Sequence, residues 1–177
     1  STFRNCTTRH TDWHDALHPG AAWHTPIQGI PTGIETGPYP GHTSRVTGVA
    51  WHPDGDLIAT TSYDHTCIIW NPHTGKKLTT LTDHTDWVTR VAWHPDGTRI
   101  ATTSDDHTCI IWNPHTGEKL TTLTDHTDWV TRVAWSPDGT HLATTSYDHT
   151  CIIWNPHTGE KTTTLTSHTS RATGVTW

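Results

Sequence analysis

Methionine is absent from the 177 residues, and phenylalanine occurs once. A core assembled from independent elements draws on both, so their scarcity points to one small unit that has been copied. Long apolar runs are missing too. The most apolar stretch is the four-residue Cys-Ile-Ile-Trp, far short of a membrane span. Basic residues are outnumbered, 11 Lys and Arg against 17 Asp and Glu, for a formal net charge of −6. That balance gives no footprint for nucleic acid or anionic lipid, so neither a nucleic-acid partner nor a membrane is expected. The opening STFRNCTTRH has no basic segment followed by an apolar one, which argues against a secretory signal and for a cytoplasmic setting. Cysteines number four: Cys6, Cys67, Cys109 and Cys151. The last three recur at one place in successive copies, a pattern of separate buried thiols rather than a disulfide framework. No segment holds a 3.6-residue apolar period over three turns, so essentially no helix is expected.

What the chain has in excess is tryptophan, 11 residues, and histidine, 17 residues. Both follow from repetition. DHTCIIWNPHTG occurs unchanged at 64–75, 106–117 and 148–159, and His42, His84, His126 and His168 open units of 42 residues without insertion or deletion. Copies 84–125 and 126–167 differ at 6 of 42 positions, copies 42–83 and 84–125 at 7. A fixed period of this length predicts a repeat architecture.

Turn signals divide each unit into four short segments. Pro95-Asp96-Gly97, Asp106-His107 and Asn113-Pro114-His115-Thr116-Gly117 separate VTRVAW, TRIATTS, TCIIW and KLTTLT. Proline fixes φ and glycine tolerates positive φ, so these clusters reverse the chain. The intervening segments are rich in Val, Ile, Thr and Trp at strand length. Each unit therefore reads as a four-stranded antiparallel meander. One such sheet cannot stand alone and must bury its faces against neighbouring copies.

The order of these features, an opening His, then Pro-Asp-Gly, then Ser-x-Asp-x-Thr, then Ile-Ile-Trp, resembles the WD-repeat β-propeller family over residues 42–177. Two features depart from the family pattern. The usual Gly-His survives only at Gly41-His42, and the Trp-Asp pair reads Trp-Asn at Trp70-Asn71, Trp112-Asn113 and Trp154-Asn155. The resemblance implies an all-β propeller with blades at 42–83, 84–125 and 126–167. Residues 168–177 would be the first strand of an incomplete blade, and the irregular segment 1–41 a possible degenerate blade. Three blades and one strand do not close a ring, so closure by oligomerisation is expected, with a dimer forming an eight-bladed ring favoured.

The resemblance also implies a buried relay in each blade: His42, Ser62, Asp64 and Trp70; His84, Ser104, Asp106 and Trp112; His126, Ser146, Asp148 and Trp154. A Ser-His-Asp grouping is the composition of a hydrolase triad as well. Three buried copies speak for structure, because catalysis needs one exposed nucleophile and an oxyanion hole. His65, His107 and His149, like His73, His115 and His157, fall one per blade in turns, too dispersed to converge on zinc, and read as solvated turn residues. No metal or cofactor is expected.

Propellers of this kind dock partners on the face bearing the connections between second and third strands. Positions that vary among the copies fall largely there: Arg45, Trp87 and Trp129 at strand entry, and Tyr63, Asp105 and Tyr147 before the relay aspartate. Such residue types are enriched in interface hot spots. The expectation is a non-catalytic interaction scaffold or sensor module that binds an unknown protein or peptide and self-assembles. Alternatives are a recently amplified or engineered repeat without an evolved ligand, and a small-molecule enzyme acting at the channel.

Overall fold

The computed structural model describes residues 41–166 and 168–177. Residues 1–40 and Ser167 fall outside, and with them the reading of 1–41 as a degenerate blade. Among the described residues every element is a strand. The first blade holds β1 (Val46–Trp51), β2 (Ile58–Ser62), β3 (Cys67–Trp70) and β4 (Lys77–Leu81). The second holds β5 (Val88–Trp93), β6 (Ile100–Ser104), β7 (Cys109–Trp112) and β8 (Lys119–Leu123). The third holds β9 (Val130–Trp135), β10 (Leu142–Ser146), β11 (Cys151–Trp154) and β12 (Lys161–Leu165). Each blade is a four-stranded antiparallel sheet in which sequence neighbours pair.

The turns form where side chains allow them. Gly55, Gly97 and Gly139 close the first hairpins at φ +78°, +75° and +71°. His65, His107 and His149 take φ +68°, +70° and +70° in the second. Few residues with a Cβ adopt that region, but histidine is among the more tolerant. In the third turn the Asn71 side chain accepts the His73 and Thr74 N–H groups at 2.9 and 3.0 Å, imitating a backbone turn.

The core lies between sheets. Ala59, Cys67, Ile69 and Leu81 of the first blade meet Trp93, Ile100, Ile110 and Trp112 of the second. The same positions, advanced by one unit, form the next layer, with Ile111 and Leu123 against Trp135, Leu142 and Ile152. Alternation along the strand explains the doubled isoleucine: in β7, Ile110 faces the preceding blade and Ile111 the following one.

Blades also share hydrogen bonds. A β-bulge at Thr47, and likewise at Thr89 and Thr131, breaks the register of the first strand. Each bulged threonine turns its hydroxyl to a carbonyl of the next unit: Thr47 to Val88, Thr89 to Val130 at 2.6 Å, Thr131 to Ala172 at 2.8 Å. In return Trp93 donates its indole N–H to the Ala50 carbonyl and Trp135 to that of Ala92, both at 3.1 Å. Trp177 does the same to Ala134 at 3.0 Å. Residues 171–177 thus lie against β9 through these bonds, yet they form no strand. The expected first strand of a further blade has no ladder partner among the described residues.

The first and last sheets keep one open face. Val46 and Trp51 are 51% and 57% exposed, whereas Val88 and Trp93, one unit on, are 0% and 8% exposed. At the other end Leu165 is exposed, while Leu81 and Leu123 are buried.

Candidate functional site

Beneath the face carrying the variable residues, each blade holds a hydrogen-bonded chain. In the second blade, His84 Nδ1 lies 2.8 Å from Asp106, and Nε2 lies 2.8 Å from the Thr102 hydroxyl. That hydroxyl accepts the Trp112 indole N–H at 2.8 Å. The first blade repeats this with His42, Asp64, Thr60 and Trp70, the third with His126, Asp148, Thr144 and Trp154. An ionised carboxylate only accepts, so Nδ1 carries the proton and Nε2 accepts from threonine. Donation runs one way, from tryptophan through threonine and histidine to aspartate.

The serine assignment is corrected. The residue between histidine and tryptophan is Thr60, Thr102 or Thr144, two positions before Ser62, Ser104 and Ser146. Trp112 pairs with Ile100 at the far end of the hairpin from the turn. Ser104 lies about 7 Å farther along the strand than Thr102, out of the indole's reach. Its hydroxyl serves the turn instead, accepting the Asp106 N–H at 3.1 Å and donating to the Asp86 carbonyl at 3.1 Å. Ser62 and Ser146 accept equivalently from Asp64 and Asp148.

Burial opposes ionisation of the relay aspartates, but their partners win. The His84 imidazole, the Thr108 hydroxyl and the Thr85 N–H hold the Asp106 carboxyl well below the usual carboxylate range. Asp148, burial again opposing, is held down to about 2 by Thr150, His126 and Thr127. The hydroxyls facing the imidazoles in the second and third blades have no solvent access, Thr102 and Thr144 being 0% exposed. These groups are arranged to rigidify the turn rather than to attack a substrate. Among the described residues, no cluster of three or more His, Cys, Asp or Glu is placed to hold a metal.

Above the relays the variable residues line up. Tyr63 of the first blade stacks on Trp87 of the second, ring centres 4.0 Å apart and planes 18° apart. In the third blade Trp129 lies 5.5 Å from Tyr147. The Arg45 guanidinium sits 5.7 Å from the Tyr63 ring and that of Arg171 4.4 Å from Tyr147. All six expected docking residues therefore fall on one ladder, Arg45, Tyr63, Trp87, Asp105, Trp129, Tyr147, to which the structure adds Arg171. Arg171 was recognisable only as the copy of Arg45 one period beyond Trp129.

Asp105 interrupts the ladder where the neighbouring blades carry tyrosine. It borders a cleft of about 290 Å³ shared with Trp87 and Trp129, and with Arg90 and Arg132 from the first strands. Neither arginine was expected here. Arg90 donates to the Thr47 and Thr89 carbonyls at 2.8 and 2.6 Å, and Arg132 to Thr131 at 3.0 Å. Asp105 itself is only 8% exposed. Burial, with the charges of Asp86, Asp106 and Asp128, pushes its carboxyl up to about 6, against a smaller opposing pull from His107.

The folded-state pKa is raised, so the fold gains protons, and stability, as pH falls from about 6 to about 4. Above that window the ionised carboxylate opposes folding in full. Asp105→Asn is expected to stabilise the protein at pH 7.5 by about 1–2 kcal/mol, a value discounted for the open mouth of the cleft, and by only a small fraction of that at pH 4. Urea titrations at the two pH values measure the difference; equal effects at both would exclude this environment for Asp105.

Comparison with known proteins agrees with this geometry. The family model described as WD domain, G-beta repeat matches at residues 33–71, 75–113 and 117–155. The second and third matches each combine the outermost strand of one sheet with the first three strands of the next, and the first covers β1 to β3. A solved structure of U3-55K and a crystal structure of RRP9 WD40 repeats are both similar to the chain. Each superposes with a TM-score of 0.72 at 26% sequence identity over 75% of this chain. The chain spans 42% of the length of each of these two. No curated protein matches it. With three family matches in register, three four-stranded blades and one hydrogen-bonded relay per blade, the chain belongs to the WD-repeat family of β-propellers.

Proposed function

We propose that this chain is a non-catalytic scaffold that docks a protein or peptide on the aromatic ladder and assembles with itself. The observation that carries the docking reading is the gathering of variable residues at one place. Asp86, Trp87, Arg90 and Asp105 are four of the seven positions at which the second unit differs from the first; the last three line one cleft, and the charge of Asp86 acts on Asp105 there. Trp87 and Trp129 are 41% and 43% exposed there, each braced by a tyrosine, as rigid aromatic anchors are. WD-repeat propellers in general serve as protein-interaction scaffolds. A cytoplasmic setting suits the free, buried thiols of Cys67, Cys109 and Cys151.

Self-assembly rests on the open faces. Residues 168–177, HTSRATGVTW, repeat 42–51, HTSRVTGVAW, at eight of ten positions. Trp177 occupies on the third blade the place that Trp93 takes on the first. With that place taken within the chain, the exposed Val46 and Trp51 of the first blade and Leu165 of the third are the apolar surfaces left for a second copy to cover. A dimer closing an eight-bladed ring is the favoured form.

One experiment with two arms tests both halves. The chain as bait should retain a specific protein partner that is lost from the Trp87→Ala plus Trp129→Ala double variant. Its native mass should be a multiple of the chain mass that collapses to the monomer in Trp51→Arg. Capture indifferent to the tryptophans removes the docking reading. A wild-type monomer at micromolar concentration removes the assembly. A chain that assembles but captures nothing favours a recently amplified or engineered repeat without an evolved ligand.

A further inference from the structure

The ladder has a defect, and its chemistry names what fills it. Going across the face, the order is cation, ring, ring, carboxylate, ring, ring, cation. At both ends a guanidinium lies over a tyrosine. At the centre, aspartate stands where its counterparts are tyrosine. The missing phenol leaves the cleft between Trp87 and Trp129.

We propose that this cleft receives the guanidinium of an arginine side chain from a partner protein, set between the indoles of Trp87 and Trp129 and paired with Asp105. The proposal rests on the docking reading and specifies the partner group that the face recognises.

Three observations carry it. Asp105 is nine-tenths buried as a residue, yet its carboxylate has neither a hydrogen bond nor an ion pair among the described residues. No side-chain oxygen there is both sealed from solvent and unpartnered, so the exposure Asp105 retains opens on the cleft it borders. Charge points the same way: Asp86, Asp105 and Asp128 outnumber Arg90 and Arg132, each of which directs its Nη1 to a backbone carbonyl. The walls are suited as well, because an indole face attracts a planar guanidinium more strongly than a phenol face does. Arg45 and Arg171 show the same chemistry already in use on this surface.

The test uses the whole chain with N-acetyl-arginine methylamide as probe and the neutral N-acetyl-citrulline methylamide as its control. The readout is the indole N–H resonances of Trp87 and Trp129, assigned through single Trp→Phe variants. A saturable shift confined to these two signals is expected, with a dissociation constant on the order of millimolar for so small a probe. Citrulline should bind at least about tenfold more weakly, and Asp105→Asn should weaken the arginine probe by a similar factor. The variant is expected to be more stable than the parent, so loss of binding in it cannot be loss of fold. Equal shifts with citrulline, or full binding by Asp105→Asn, overturn the arginine assignment and leave the docking face standing. Absence of any shift with either probe overturns it too. The docking face itself is judged separately, by partner capture with the two tryptophans intact and removed.

Discussion

Thr102→Val is expected to be among the most damaging single substitutions in the second blade, although it changes one hydroxyl to a methyl. The Thr102 oxygen accepts the Trp112 N–H, and its proton goes to His84 Nε2, both at 2.8 Å. Trp112 is 2% exposed and His84 5%, so water cannot replace what is lost. Leaving one buried polar group unpaired costs about 1–3 kcal/mol, and valine leaves two, giving roughly 2–5 kcal/mol in all. Thr102→Ser keeps the hydroxyl and should recover most of that. The relay membership is tested spectroscopically. Thr102→Val should move the Trp112 indole N–H resonance strongly, whereas Ser104→Ala should leave it nearly in place and perturb the Asp106 amide. The opposite pattern would return serine to the relay.

The second large effect is expected where the blades join. Gly55 and Gly97 occupy the same turn in successive blades, with φ of +78° and +75°. Alanine at either must adopt a left-handed conformation, at about 1–2 kcal/mol. Only at Gly97 does it meet a neighbour. A Cβ there falls on the His52 ring of the first blade, 2.6 Å from Cε1, whereas a Cβ at Gly55 has nothing within 4 Å. His52 cannot easily withdraw. It is buried, lies edge-on to Trp93 with ring centres 4.8 Å apart, and directs Nε2 at the Gly97 carbonyl 3.3 Å away. Overpacking adds about 1–3 kcal/mol, so Gly97→Ala should cost roughly 2–5 kcal/mol against about 1–2 for Gly55→Ala. Denaturant midpoints of the two variants measure the gap. Equal destabilisation would mean that His52 does not bridge the blades.

Much of this architecture could be read from spacing alone, because its signals are local. Pro-Asp-Gly, the Asp-His pair and Asn-Pro-His-Thr-Gly each reverse the chain by their own backbone preferences, and the segments between have only strand lengths to choose from. The relay was harder. In Ala101-Thr102-Thr103-Ser104 three hydroxyls compete for one role. Strand alternation excludes Thr103, but deciding between Thr102 and Ser104 needs the register of Trp112 against Ile100, which is a pairing rather than a composition. The docking face was recognisable as a set of variable positions and not as an object. Tyr63 and Trp87 are 24 residues apart and in different blades, and only packing shows that their rings stack. The bonds at the joints carried no sequence signal beyond recurrence itself. A threonine in VTRVAW looks like any strand threonine until a bulge turns it outward.

Those joint bonds have a consequence for how such an array changes. At the first two joints they link residues 41, 43 and 45 positions apart: Thr47 to Val88, Trp93 to Ala50, His52 to Gly97, and then Thr89 to Val130, Trp135 to Ala92, His94 to Gly139. All six bonds end on backbone carbonyls, at valine, alanine and glycine positions shared by the three complete units, so these acceptors do not discriminate which copy they meet. Units are interchangeable parts. Recombination between copies can add or remove 42 residues at a stroke without creating an unfamiliar seam, and the number of blades becomes a heritable variable separate from the quality of each. A lineage carrying this gene would be expected to differ in length before it differs in fold.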